Sequence, residues 1–253
     1  MNIYPIKAFT DNYIWLLVAD DNKSAICVDP GDAAPVIHFL KENDLTLETV
    51  LLTHHHADHI NGVSALLAYD PLLEVYGPND VRITAAPRLI ANQSDFTLHA
   101  WQFHVLQTPG HTSSHICFYE SNYGLLFCGD TLFSAGCGRI FDGSIEMLYS
   151  SLNTLKELPD ETRVYCGHEY TRQNLRFAAT VEPHNSVIQN YYQKLTSEPA
   201  LCSLPSTIAL EKEINPFLRL TQEEVKQYVT RRGSNTDPLS VLKQLRDDKN
   251  NFS

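Results

Sequence analysis

Thr53-His54-His55-His56-Ala57-Asp58-His59 constrains this chain more than any other stretch. Four imidazoles and a carboxylate follow directly on the apolar run Val50-Leu51-Leu52. Buried imidazoles and carboxylates are costly unless partnered, and a metal ion is the partner that suits all of them. In extended backbone, residues two apart point the same way. His54 and His56 can therefore converge on one ion, while Asp58 and His59, where the chain turns, can face a second. His55 points away from its neighbours and reads as structural.

Three further strand ends carry matching residues. Trp101 to Gln107 leads into Gly110-His111-Thr112, Gly124 to Cys128 into Gly129-Asp130-Thr131, and Arg163 to Cys166 into Gly167-His168. Active groups commonly sit where strands end. The candidate ligands are thus His54, His56, Asp58, His59, His111, Asp130 and His168. Seven nitrogen and oxygen donors exceed what one zinc-like ion takes and suit two. If Asp130 bridges, one ion takes His54, His56 and His111, and the other takes Asp58, His59 and His168. Imidazole and carboxylate donors fit zinc, iron or manganese, with zinc placed first. Two ions roughly 3.5–4 Å apart make hydroxide available near neutral pH, which is the machinery of hydrolysis. His38, His99, His104, His115 and His184 lack this context and read as structural or surface residues.

The rest of the chain supports a large globular fold. Ile3 to Phe9, Tyr13 to Ala19 and Ser24 to Val28 read as a β-meander. Pro35 opens a helix to about Asn43, and Ile60 to Tyr69 reads as another helix. Asn79 to Gln93 is ambiguous. Strands alternating with helices, interrupted by hairpins, predict mixed sheets covered by helices. Beyond Thr171 the strands cease, and Asn174 to Ala179, Val187 to Thr196, Gln222 to Arg231 and Leu239 to Asp247 read as helices. The expected division is a catalytic domain over 1–170 and a mostly helical substrate-binding domain over 171–253.

A net charge of −11 argues against nucleic acid as a partner. No apolar run reaches membrane-span length and no secretory signal is apparent, so neither a membrane nor export is expected. The six cysteines form no CxxC pair. Reduced thiols in the cytoplasm, and a monomer, are the default expectations.

The run Thr-His-x-His-x-Asp-His, then Gly-His-Thr, Gly-Asp-Thr and Gly-His, resembles the metallo-β-lactamase superfamily. That implies an α/β (α+β) fold, an αββα sandwich of two mixed β-sheets with helices outside. Asp11-Asn12-Tyr13, Gly136-Cys137-Gly138-Arg139, Cys166 to Thr171 and Arg246 to Phe252 resemble the glyoxalase II, or hydroxyacylglutathione hydrolase, family over essentially the whole chain. The resemblance implies hydrolysis of S-D-lactoylglutathione to glutathione and D-lactate, with attack by a metal-bridging hydroxide. Asp58 and Asp130 would be the catalytic carboxylates. Arg139, Tyr170, Arg246 and Lys249 would bind the glutathione half, and cations suit its carboxylates. The family often has Lys where Arg139 stands and Tyr where Phe141 stands, so Phe141 is left outside the binding set. A persulfide dioxygenase on the same fold uses one iron and fewer ligands and lacks the long helical terminal region, so it matches less well.

Overall fold

The computed structural model describes residues 2–84, 88–89, 95–198 and 201–252. By contact, the chain divides into two compact units: Met1–Gln107 with Ser114–Gly129, and Thr108–Ser113 with Asp130–Ser253. Much of the ambiguous stretch from Asn79 to Gln93 lies outside the described residues.

The first unit holds β1 (Asn2–Ala8), β2 (Asn12–Val18), β3 (Ser24–Val28), α1 (Ala33–Glu42), β4 (Thr46–Leu51), α2 (Ala57–Ile60), α3 (Val63–Tyr69), β5 (Glu74–Gly77), β6 (Arg88–Leu89), β7 (Asp95–Leu98), β8 (Trp101–Gln107), β9 (Ile116–Glu120) and β10 (Leu125–Gly129). Strands β1 to β6 form one mixed sheet in sequence order. The β1, β2 and β3 meander is antiparallel, and β3, β4, β5 and β6 run parallel. Strands β7 to β10 form an antiparallel meander. Every residue of β2, β3 and β10 is buried, so both faces of those strands are covered. Tyr76 of β5 stacks on Phe96 of β7 at 5.4 Å, where the two sheets meet. On the other face, Val36 and Leu40 of α1 and Val63 and Leu66 of α3 pack into one core with Ile14, Leu16 and Val50. This is the α/β arrangement of sheets and covering helices that the sequence implied.

Helix α1 begins where Asp32 accepts from the Ala34 amide, a side-chain cap for an orphaned donor. The helix expected over Ile60 to Tyr69 is in fact two, α2 and α3. They break because the Gly62 amide turns out of the helical ladder to donate to the Pro30 carbonyl at 2.9 Å. Helix α2 starts within the histidine motif, which is what turns Asp58 and His59 away from the extended direction of His54 and His56.

The second unit holds β11 (Leu132–Phe133), β12 (Gly136–Cys137), α4 (Ile145–Lys156), β13 (Arg163–Cys166), α5 (Thr171–Val181), α6 (Ser186–Ser197), β14 (Ser206–Thr207), α7 (Ile208–Ile214), α8 (Glu223–Thr230) and α9 (Pro238–Asn250). The expected helices are present, and α5 is longer than expected at both ends. Helix α7, the β11–β12 hairpin and β14, which pairs antiparallel with β13 beyond the point where strands were expected to cease, were not anticipated. They are short, and a seven-residue helix carrying Glu211, Lys212 and Glu213 shows little apolar periodicity. Ala135, Leu175, Ala178, Ile188, Leu195 and Ile214 form the core that joins the hairpin to α5, α6 and α7.

Candidate metal centre

Strand β4 delivers the histidines. Val50, Leu51 and Leu52 are fully buried, and fully burying each such side chain is worth about 1.5–3 kcal/mol. That burial anchors the polar loop that follows. Because β3 and β4 run parallel, with Val28 opposite Leu51, their carboxyl ends lie side by side. Asp29, the residue after β3, therefore reaches the residue that precedes the histidines. Its carboxylate accepts from the Thr53 amide at 2.8 Å, from the Thr53 hydroxyl at 2.6 Å and from His59 Nδ1 at 3.0 Å.

These bonds assign the tautomers. Thr53 has one hydroxyl proton and gives it to Asp29, so its Oγ1 accepts from His54 Nδ1 at 2.9 Å. His54 then carries a lone pair on Nε2, which faces His56 Nδ1 at 3.1 Å. His59 gives its Nδ1 proton to Asp29, which leaves its Nε2 lone pair 3.6 Å from Asp58 Oδ2. Asp58 in turn accepts from Asn12 Nδ2 at 2.9 Å, the job of the asparagine in Asp11-Asn12-Tyr13. His55 points elsewhere, its Nδ1 3.4 Å from Asp80 Oδ2. His115 is buried and stacks on His54 at 4.8 Å.

Gly129 closes this end of the first unit at a φ of +46°, and a Cβ there would lie 2.3 Å from Thr53 Oγ1 and 2.8 Å from His115 Nε2. Only glycine fits both the angle and the space.

The second unit carries His111, Asp130 and His168, all buried. His111 donates Nδ1–H to the Arg139 carbonyl at 2.6 Å, so its Nε2 holds the lone pair and lies 3.6 Å from Asp130 Oδ2. His168 Nε2 lies 3.4 Å from the same oxygen. One carboxylate oxygen thus sits by two imidazoles. Gly138 lets the chain pass close by: a Cβ there would meet the Asp130 carbonyl at 1.9 Å and His111 Nδ1 at 3.0 Å.

Three imidazoles therefore present Nε2 lone pairs because a carboxylate, a hydroxyl or a carbonyl holds the other ring proton. That is the arrangement by which proteins fix metal-ligating histidines. The donor set suits divalent metal ions.

The expected substrate-binding residues lie in the second unit. Arg139 is exposed, and Tyr170 stacks on His168 at 4.7 Å. Arg246 is buried at 7 % exposure, donating from Nη1 to the Cys137 carbonyl at 2.7 Å and from Nε to Asn250 Oδ1 at 3.2 Å. Burial, then the Arg246 charge, pulls the Lys249 ammonium down to about 8; Arg139 and Arg176 push the same way, and Cys137 opposes them. Phe141 is exposed, its ring 5.2 Å from that of His111. Asp29 and Thr53 were missed as positioning residues. The available signal was a carboxylate directly after a strand predicted to precede a crossover helix.

Comparison with known proteins places these features in a family. The model of the metallo-β-lactamase superfamily matches residues 9–168, and that of the hydroxyacylglutathione hydrolase C-terminus matches 169–252. A hydroxyacylglutathione hydrolase of Legionella pneumophila (strain Corby) is 54% identical over 253 residues, covering 100% of both chains. Among solved structures, ETHE1 from Myxococcus xanthus aligns over 100% of both chains with a TM-score of 0.66 at 26% identity. The BLEG-1 B3 metallo-β-lactamase aligns with a TM-score of 0.64 at 28% identity, over 86% of this chain and 98% of its own. With full-length identity above half and both family models in sequence order, the chain belongs to the hydroxyacylglutathione hydrolase family of the metallo-β-lactamase superfamily.

Proposed function

We infer that this chain hydrolyses glutathione thioesters, with S-D-lactoylglutathione as the substrate and glutathione and D-lactate as products, the second step of methylglyoxal detoxification. The observation that carries this is the full-length match to a hydroxyacylglutathione hydrolase, which takes in the carboxyl-terminal region as well as the metal motifs. His54, His56, His111 and Asp130 would hold one divalent ion and Asp58, His59, His168 and Asp130 the other, and zinc is our assignment. Such ions, when bound, lower the pKa of a coordinated water towards neutrality and polarise a carbonyl.

The chain's own residues do the rest. Asp58, held by Asn12, orients the attacking water. Arg139, Tyr170, Arg246 and Lys249 bind the glutathione half, the cations pairing with its carboxylates. Arg246 has Nη1 and Nε committed within the protein, so it meets the ligand through Nη2. A thiolate leaves readily, and no separate proton donor is assigned. We place the functional boundary near residue 170, with 171–253 as the substrate-binding region.

We further propose that the protein works as a cytoplasmic monomer without nucleic-acid or membrane partners. Six cysteines with no CxxC pair suit a reducing compartment. Among the described residues no helix is long and apolar enough to cross a membrane.

The direct test is release of glutathione from S-D-lactoylglutathione by the wild type beside Arg246→Ala and Lys249→Ala. Turnover is expected, with KM raised on the order of tenfold or more in each variant, since charge-assisted hydrogen bonds are worth about 1.5–3 kcal/mol. A wild type that binds metal but leaves this thioester intact overturns the substrate assignment.

The lowered Lys249 sets a pH dependence. Below about 8 the substrate-free protein holds an ammonium there, and above it a neutral amine that cannot pair with a carboxylate. KM should therefore rise as pH passes that value, while Lys249→Arg keeps KM flat because a guanidinium stays charged. A wild-type KM that does not change across this range rules out Lys249 as a carboxylate ligand.

A further inference from the structure

The segment from Phe133 to Cys137 has its backbone held by side chains from the carboxyl-terminal helices, one residue after another. The Phe133 carbonyl accepts from Asn215 Nδ2 at 3.1 Å, and the Ser134 carbonyl from Asn174 Nδ2 at 3.0 Å. The Ala135 amide donates to Glu211 Oε2 at 2.8 Å. The Gly136 carbonyl accepts from Asn215 Nδ2 at 2.9 Å, and the Cys137 carbonyl from Arg246 Nη1 at 2.7 Å. Asn215 Nδ2 also lies 3.0 Å from Glu211 Oε2 and shares its two protons among these three acceptors, joining two of the clamps.

This is an unusual investment. Glu211 and Asn215 are fully buried and Asn174 nearly so. Burial pushes the Glu211 carboxyl above its ordinary range, against the hydrogen bonds that Ala135, Ser206, Ser134 and Asn215 give it. Polar side chains are not spent in a core without a geometry to fix. Ala135 at the tip has a φ of +55°, a conformation a non-glycine residue holds only when its surroundings impose it.

What the segment connects indicates the use. Asp130 stands two residues before β11, and Gly138 and Arg139 follow β12 directly. The Gly138 amide donates back to the Thr131 carbonyl at 3.2 Å, and the Arg139 carbonyl takes the Nδ1 proton of His111. A shift of the hairpin would therefore move both the Asp130 carboxylate and the carbonyl that sets the His111 tautomer.

We propose that Asn174, Glu211 and Asn215 are positioning residues of the metal centre: they lock the 133–137 hairpin so that Asp130 and the Arg139 carbonyl stand in register with His111. The carboxyl-terminal helices thus shape the metal ligands as well as the substrate subsite. This rests on the metal-dependent reading above and deepens it.

The test measures metal retention against a chelator, with the His111 Nδ1–H resonance as a second readout and circular dichroism as the control for folding. Asn215→Ala deletes the donors to Phe133 and Gly136 and should weaken metal retention about 10–100-fold, the range for lost outer partners of metal ligands. Asn174→Ala deletes one bond and should give a smaller loss. Glu211→Gln keeps an acceptor oxygen for Ala135 and Asn215 and should stay within about twofold of wild type.

If Asn215→Ala is too unstable to purify, Asn174→Ala carries the test. Folded Asn174→Ala and Asn215→Ala proteins that retain metal and the His111 resonance like wild type overturn the proposal. A wild type that neither holds metal nor cleaves the thioester removes the underlying reading, and this inference with it. A functional wild type with unaffected variants removes the inference alone.

Discussion

Asp130→Ala is expected to lose both metal retention and turnover. Asp130 Oδ2 lies 3.4 Å from His168 Nε2 and 3.6 Å from His111 Nε2, in a buried position. Alanine removes the one carboxylate proposed to serve both ions. We expect metal content after gel filtration to fall to a small fraction of the wild-type value. The rate of thiol release should fall by about a thousandfold or more, ~4 kcal/mol in barrier terms. Asp130→Asn keeps one oxygen but turns an amide donor towards the rings, so it should be intermediate in metal content and still severely slowed. Elemental analysis and a colorimetric thiol assay on the same preparations decide the matter. An alanine variant that turns over within about tenfold of wild type would mean that the binuclear reading is wrong.

Asp29→Asn should be the more informative substitution, because it changes protons rather than shape. The carboxylate is the terminal acceptor of a chain that runs from His54 through Thr53 to Asp29 and is joined there by His59. An amide nitrogen at Oδ2 would face two donors. Thr53 would then turn its hydroxyl proton towards His54 Nδ1, and His59 would have to move its proton or its ring. Both changes take the Nε2 lone pair away from where a metal needs it. Metal affinity should drop about 10–100-fold. Stability should fall as well, since each buried donor left unmatched costs about 1–3 kcal/mol. Thr53→Val separates the contributions: it breaks the link to His54 while leaving the bond from His59 to Asp29. Its metal affinity should lie between wild type and Asp29→Asn. Chelator competition and thermal unfolding are the measurements, and an Asp29→Asn protein with wild-type metal affinity would refute the tautomer relay.

Much of this chemistry was legible in the sequence because it is local. Four polar ligands within six residues of one another, and three more at Gly-X-Thr or Gly-His strand ends, cannot be read as ordinary core or ordinary loop. The strand and helix pattern around them, alternation followed by amphipathic periods, is also a property of short windows. The apolar run of β4 announces both the buried strand and the point where its chemistry begins.

What escaped was non-local or short. Asp29 acquires its role from a parallel pairing that sets the ends of β3 and β4 together, and 24 residues separate it from Thr53. Asn174 looks like an ordinary helix polar residue in the sequence, and Glu211 and Asn215 lie in a stretch where no element was expected. Their work on the 133–137 hairpin spans 40 to 82 positions. Arg246 is expected from the family resemblance to meet the glutathione half, but that its guanidinium is buried and bonded to the Cys137 carbonyl could not be read from the sequence. The sequence by itself determined which atoms could ligate, because that is a matter of side-chain chemistry and short spacing. Only the tertiary structure decided which ring nitrogen keeps its lone pair and which backbone groups hold the ligands still, because those depend on partners that chain connectivity does not bring near.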